Sequence, residues 1–180
     1  MNERHLPFWP PRRPFVFAIP ETNLAHNLKT SAERFPHEPA IVYYDTPIAY
    51  ARLWADVEHL AGYLERDAGV KPGDRVILLM QNSPQFAIAY YAILRANAVV
   101  VPLNPMNLAE ELELFAEDSG ARVAIAGQEL AGRLVPLAET HVTRTIVATY
   151  SDFIERETKL TLPPAVAAPR APLEHPSFVA

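Results

Sequence analysis

Two glycines separated by four residues, Gly127 and Gly132, follow an apolar segment typical of a buried strand. This is the spacing of a nucleotide phosphate loop, in which lysine and then serine or threonine come after the second glycine. Arg133 and Leu134 take those places here, and Glu129 would set a negative charge beside the phosphate. The segment is therefore interpreted as a strand-to-helix turn without phosphate chemistry.

The other residue types that carry chemistry form no catalytic set. The sequence has no Gly-x-Ser-x-Gly and no His-Glu-x-x-His segment, and its six histidines lack metal-ligand spacing. The glutamates at 110, 111 and 113 are explained by the dipole at the start of a helix. These motifs assign no residue to catalysis or to a metal.

Composition narrows the function classes. The 180 residues carry a net charge of -5, which argues against a general nucleic-acid binder. The absence of cysteine excludes disulfides and thiolate metal sites. The longest uncharged apolar stretch, 86–94, is far shorter than the roughly 20 residues that span a bilayer. These features predict no transmembrane segment and a cytoplasmic location.

The elements that must position any site follow from the apolar pattern. Strands are predicted at 75–80, 98–101, 122–126 and 144–148, with helices at 84–97, 107–118 and 129–138 between them. Asn107 is the predicted cap of the second of these helices. The strands are continuous apolar runs, typical of a parallel sheet covered on both faces. The predicted fold class is α/β, a doubly wound, mostly parallel β-α-β-α-β-α-β sheet. Its ligands would lie beyond the carboxyl ends of the strands.

A helix, a β-hairpin and a second helix precede this sheet. The first helix follows Thr22, the hairpin strands are 40–44 and 48–50, and the second helix is 51–67. A type II turn is predicted at 71–74, with Pro72 and Gly73 at its two central positions. Of the 18 prolines, five lie in residues 1–20 and five in 163–176. The predicted division is therefore an extended arm (1–21), an α/β subdomain (22–150) and a Pro/Ala-rich linker (151–180).

An ordered series of segments carries a family resemblance. It comprises Pro39–Tyr43, Gly73–Val76, Met80–Phe86, Tyr90–Ala96, Ala98–Pro105, Glu110–Leu112 and Asp118–Ala121. In this order and spacing, residues 22–150 resemble the amino-terminal part of AMP-forming acyl-CoA synthetases of the adenylate-forming superfamily. The nearest likeness is to bacterial long-chain fatty-acid CoA ligases.

Two positions depart from the family pattern. Ala49 stands where many relatives have threonine, so the second helix loses a cap worth about 1 kcal/mol. Asn97 stands where many have glycine, and asparagine tolerates the left-handed backbone that such a turn requires.

The resemblance implies a two-step reaction of the full-length protein. A fatty or aryl carboxylate reacts with ATP to give acyl-adenylate and pyrophosphate, and CoA then displaces AMP, with Mg²⁺ as a cofactor. In the family, the phosphate loop, the adenine and ribose motifs and a catalytic lysine lie further along the chain, and no glycine follows Gly132 here. We therefore expect this chain to be inactive alone, to bind none of these cofactors, and to expose apolar surface meant for the remainder of its own chain. Self-association through that surface, and peripheral attachment of the full-length enzyme to a membrane, are left open.

The resemblance also implies one binding site. In related synthetases the loop after the valine-rich strand, and arginines after the next strand, lie near the CoA nucleotide. Carried over, this implies CoA contacts for Asn104, Pro105, Met106 and Arg133. The plainer interpretation is a tight Asn-Pro turn and a surface arginine.

Two other functions remain open at this point. The first is an adenylation domain that loads a carrier protein instead of CoA, which shares this fold and is distinguished by its downstream domains. The second is a free-standing binding module of flavodoxin-like shape. The proline-rich arms argue against the second, because they need a partner surface.

Overall fold

The computed structural model describes residues 6–13 and 19–180. The predicted arm 1–21 therefore lies partly outside the described residues, which show a short 3₁₀ helix at Leu6–Phe8. The helices are α1 (Leu24–Arg34), α2 (Tyr50–Arg66), α3 (Pro84–Arg95), α4 (Ala109–Ser119), α5 (Gln128–Ala131) and α6 (Pro164–Ala167). The strands are β1 (Pro39–Tyr43), β2 (Thr46–Ala49), β3 (Arg75–Leu79), β4 (Val99–Leu103), β5 (Val123–Gly127), β6 (Arg144–Ala148) and β7 (Phe178–Val179).

Five strands form one parallel sheet in the order β4-β3-β5-β6-β7, and β1 and β2 form a separate antiparallel hairpin. In β3, Val76 is paired with Val100 of β4 on one side and with Val123 of β5 on the other. The α/β class with a mostly parallel sheet is thus confirmed. From β3 the chain adds β4 on one side and then β5 on the other side. This change of direction is the doubly wound feature.

Two apolar cores lie on opposite faces of the sheet, because side chains along a strand alternate between its faces. Val76 and Leu78 of β3 pack beneath α2 and α3. Ile77 and Leu79 pack on the other face, together with Leu112 of α4 and the 3₁₀ helix Gly132–Leu137. The continuous apolar strands are therefore explained by burial on both sides.

Three local predictions from single residues are confirmed. The turn at 71–74 closes through a 3.0 Å bond from Asp74 N to Lys71 O, with Gly73 at φ 86°. Asn97 adopts φ 54°, the left-handed conformation expected of it. Ala49 is the N-cap of α2, and no side chain caps this helix.

Three local predictions differ from the structure. The hairpin turn is Tyr44–Asp45, with φ 43° and 63°, so the residues at 46 and 47 belong to β2. Positive φ at both central residues matches the twist of hairpin strands, which explains the shorter turn. The α4 cap is Leu108 rather than Asn107, because the Glu111 carboxylate accepts the Leu108 N–H at 2.8 Å. The helix predicted at 129–138 is one α-turn followed by the 3₁₀ helix that contains Pro136, which lacks an N–H.

The segment after β6 is more structured than a proline-rich linker predicts. It contains a 3₁₀ helix at Tyr150–Phe153, the short α6 and strand β7. Strand β7 pairs with β6 because Phe178, 3% exposed, completes the core under α4. The boundary predicted at residue 151 stays a prediction.

The same segment returns to the hairpin and to α2. The Arg52 guanidinium donates to both oxygens of Glu155, at 2.9 and 2.7 Å, and lies over the Phe153 ring. The Thr158 hydroxyl donates to the Asp45 carboxylate at 2.7 Å. These contacts attach residues 150–160 to the first third of the chain.

Candidate functional site

The loop at the carboxyl end of β4 brings the four predicted site residues together. Asn104 starts it, and its side-chain oxygen accepts the Met106 N–H at 2.9 Å. Arg133 reaches the loop from the 3₁₀ helix on the neighbouring connection. Its Nη1 donates to the carbonyls of Pro105, at 2.7 Å, and Asn107, at 2.9 Å. The Met106 side chain is 82% exposed at the tip.

This geometry gives Arg133 a role that spacing alone did not reveal. One guanidinium nitrogen holds two loop carbonyls, so the side chain fixes the loop conformation while keeping its positive charge beside it. Among the described residues no carboxylate forms an ion pair with Arg133. The loop therefore has a fixed conformation with the Arg133 cation on one side, while on the other side the Glu111 carboxylate accepts the Asn107 side-chain N–H at 3.2 Å.

A second cluster, which sequence reasoning missed, lies where β3, β5 and β6 end. Tyr150 is fully buried there. Its hydroxyl accepts the Gln81 N–H at 2.9 Å and donates to the Glu129 carboxylate at 2.9 Å. The hydroxyl thus joins the ends of three strands. The parallel topology predicts that these ends meet, but nothing in the spacing identifies the tyrosine as the residue that joins them.

Gly127 is the glycine that this tyrosine requires. A Cβ at this position would overlap the Tyr150 hydroxyl and crowd the Glu129 carboxylate. The residue has φ -66°, so the requirement is for space rather than for an unusual backbone. The first glycine of the apparent phosphate loop therefore makes room for a side chain, which supports its interpretation as a strand-to-helix turn.

Amide groups connect this cluster to the segment after β6. Gln85 of α3 donates to the Thr149 carbonyl at 2.7 Å. The Thr149 hydroxyl donates to Gln128, whose side chain also donates to the Pro169 carbonyl at 2.9 Å. The carboxyl edge is therefore a continuous polar network that fixes the path of the chain beyond β6.

The two tyrosines near Glu129 remain protonated at neutral pH. Burial raises the pKa of Tyr43 to about 12, with smaller contributions from Tyr44 and Glu129. Burial likewise raises the pKa of Tyr150, partly opposed by the bond from the Gln81 N–H. Neither hydroxyl is a base at neutral pH, so this cluster positions the backbone and supplies no proton acceptor of its own.

The residues that the structure describes do not fit Mg²⁺ or the phosphates of ATP, which the resemblance implies for the full-length enzyme. Within 6–13 and 19–180, no three His, Asp or Glu side chains converge as metal ligands. Gly127 makes room for the Tyr150 hydroxyl, which donates to the Glu129 carboxylate, so this turn carries a negative charge. No step of the chemistry is therefore assigned to these residues.

Comparison with known proteins settles the family. The family model for AMP-binding enzymes matches residues 28–179. The chain belongs to the AMP-binding enzyme family. It is 35% identical over 135 residues to the oxalate–CoA ligase of Arabidopsis thaliana, covering 71% of this chain and 26% of that protein. It is 31% identical over 136 residues to the long-chain-fatty-acid–CoA ligase of Bacillus subtilis strain 168, covering 76% of this chain and 24% of that protein.

Solved structures agree with this AMP-binding assignment. A fatty acyl CoA synthetase of Mycobacterium tuberculosis superposes with a TM-score of 0.65 at 31% identity, over 73% of this chain and 27% of that one. A long-chain-fatty-acid-CoA ligase of Archaeoglobus fulgidus superposes with a TM-score of 0.66 at 28% identity, over 73% of this chain and 28% of that one. The chain thus spans about a quarter of the length of these relatives. Within residues 6–13 and 19–180, every helix is too short or too polar to span a membrane.

Proposed function

We propose that this chain is the amino-terminal scaffold of an ATP-dependent, AMP-forming fatty-acid CoA ligase. The whole enzyme converts a carboxylate and ATP, with Mg²⁺, to acyl-adenylate and pyrophosphate, and then transfers the acyl group to CoA. The family match over residues 28–179 carries this proposal. The names of the relatives, all CoA ligases, favour CoA over a carrier protein as acceptor.

Within that enzyme, the loop 104–107 and Arg133 lie beside the CoA nucleotide and supply positive charge to a phosphate. The support is the fixed loop and the arginine without a carboxylate partner. The rest of the chemistry belongs to segments that follow in the family, and the reaction takes place in the cytoplasm. The chain alone therefore makes no acyl-adenylate.

A chimera tests the scaffold role. Residues 28–150 replace the aligned segment of the Bacillus subtilis relative, and palmitoyl-CoA formation is measured. We expect the chimera to be active and the isolated chain to give no hydroxamate above background with ATP, palmitate and hydroxylamine. A folded but inactive chimera, or clear hydroxamate from the isolated chain, would contradict the proposal.

The CoA contact is tested in the same chimera with Arg133→Ala. We expect a raised KM for CoA and an unchanged KM for ATP. The substitution removes the hydrogen bonds that hold the loop carbonyls and the positive charge beside the loop. Arg122→Ala, an exposed arginine at the opposite edge of the sheet, is the matched control. An unchanged KM for CoA in Arg133→Ala would remove Arg133 from the site.

A further inference from the structure

Residues 168–171, the edge segment, pass the carboxyl edge of the sheet and are held there by one amide side chain. Gln128 follows β5 directly and is half-buried. Its Nε2 donates to the Pro169 carbonyl at 2.9 Å, and its Oε1 accepts the Ala171 N–H at 3.1 Å. The same oxygen accepts the Thr149 hydroxyl at 3.1 Å. One side chain therefore joins the ends of β5 and β6 to backbone that lies 41 to 43 positions further along the chain.

A carboxamide matches this arrangement, and other side chains of similar size do not. The Pro169 carbonyl accepts and the Ala171 N–H donates, so the two ends of the Gln128 amide are not interchangeable. A glutamate at this position would bring an oxygen against the Pro169 carbonyl, and a methionine would replace neither hydrogen bond. The two bonds therefore require glutamine at position 128 and set the distance of the edge segment from β5.

Two other side chains contact the edge segment. The Ser151 hydroxyl donates to the Ala168 carbonyl at 2.8 Å. The Arg170 guanidinium pairs with the Asp152 carboxylate at 2.6 Å, but these side chains are 58% and 41% exposed. Exposed ion pairs contribute little, because water screens them and ordering two long side chains costs entropy. Gln128 is therefore the main side-chain contact that orients the edge segment.

The edge segment leads into β7, which runs toward the same carboxyl edge. Strand β7 pairs in parallel with β6, with Phe178 beside Thr145 and Val179 beside Ile146. Parallel strands end at one edge of their sheet, where ligands of such sheets bind. Because β7 has only two residues, its position also depends on the backbone that precedes it. A shift of the edge segment would therefore shift the backbone that leaves β7.

We propose that Gln128 is a positioning residue for ATP. Under the proposed function, on which this inference rests, the segments that bind ATP in the whole enzyme follow β7. The Gln128 amide fixes the edge segment, and through β7 it fixes where those segments begin, without contact to ATP itself. Arg133, by contrast, lies at the loop after β4 and contacts CoA under the same proposed function. Substitutions of these two side chains should therefore affect different substrates.

The test uses a chimera in which residues 28–179, the range that the family model matches, replace the aligned segment of the Bacillus subtilis relative. KM for ATP and KM for CoA are measured in Gln128→Glu and in Gln128→Met, which adds no charge. We expect KM for ATP to rise about tenfold in both variants, the effect of weakening one hydrogen bond to a charged phosphate. KM for CoA should stay unchanged, which is the reverse of the result expected for Arg133→Ala.

Gln81→Glu is the matched control. It adds the same charge at the same edge, from an exposed side chain that makes no hydrogen bond to the described part of the chain. Both KM values should equal those of the unsubstituted chimera. If the Gln128 variants do not fold, Ser151→Ala removes the bond to Ala168 and should raise KM for ATP by a few-fold.

Partial unfolding alone would lower the rate and leave both KM values unchanged, because the folded fraction binds ATP normally. That result would overturn the proposal, as would an equal rise of both KM values. An unchanged KM for ATP in Ser151→Ala would overturn it where the Gln128 variants do not fold. An active unsubstituted chimera with any of these results would leave the proposed function standing, whereas an inactive one would overturn both.

Discussion

Tyr150→Phe is the sharpest test of the cluster at the carboxyl edge. The substitution keeps the buried ring and removes only the hydroxyl, which accepts the Gln81 N–H and donates to Glu129. A donor left unpaired in a part-buried site costs about 1–3 kcal/mol. Glu129 is exposed and can turn to water, so its share is smaller. The expected loss is about 2 kcal/mol in all.

For a domain of this size, about 2 kcal/mol corresponds to a fall in Tm of about 4–8 °C. The assay is urea unfolding followed by circular dichroism, in which the midpoint should fall at an unchanged m-value. Tyr90→Phe is the control, because that half-buried hydroxyl makes no hydrogen bond to the described part of the chain. If both variants lose the same small amount, below about 0.5 kcal/mol, the Tyr150 hydroxyl does not join the strand ends.

Three further outcomes are expected. Gly127→Ala should destabilise the chain at least as much as Tyr150→Phe, because the added methyl overlaps the Tyr150 hydroxyl. The same substitution should cost less in the Tyr150→Phe background, where that hydroxyl is absent. Additive losses in urea unfolding would contradict the overlap. Asn97→Ala should cost about 1–2 kcal/mol and Asn97→Gly little, since φ is 54°; equal midpoints would refute the backbone argument. The free energy of unfolding should fall as pH rises from about 10 toward 12, because tyrosines of the unfolded chain then lose protons that the folded chain keeps. Tyr43→Phe should reduce this fall. An identical alkaline profile in the variant would contradict the role of Tyr43.

The fold could be predicted where burial and backbone chemistry act locally. Apolar runs identified the strands, and Gly73 and Asn97 marked turns that need positive φ. The last strand could not be predicted in this way. Its two residues carry no periodicity, and it exists because Phe178 fills a place in a core built from distant segments.

The candidate site also has one part that could be predicted from the sequence and one part that could not. The topology brings the loop after β4 and the connection after β5 to one edge, so Asn104 and Arg133 could be expected to be neighbours. That Arg133 holds loop carbonyls, and that Tyr150 joins three strands, depends on side-chain reach across 26 to 69 residues. Sequence spacing carries no information on such contacts. A lone tyrosine after a strand therefore gave no signal.

The contacts of Glu155 and Thr158 with the first third of the chain also determine when that part can complete its folding during synthesis. They join residues 103 and 113 positions apart. A ribosome needs about 5–20 seconds to add that many residues, so the hairpin and the start of α2 wait that long for these partners. During this interval the hairpin must persist without them or remain open. A nascent chain stalled before residue 155 should therefore expose residues 39–52 to proteases, and one stalled well beyond 158 should protect them.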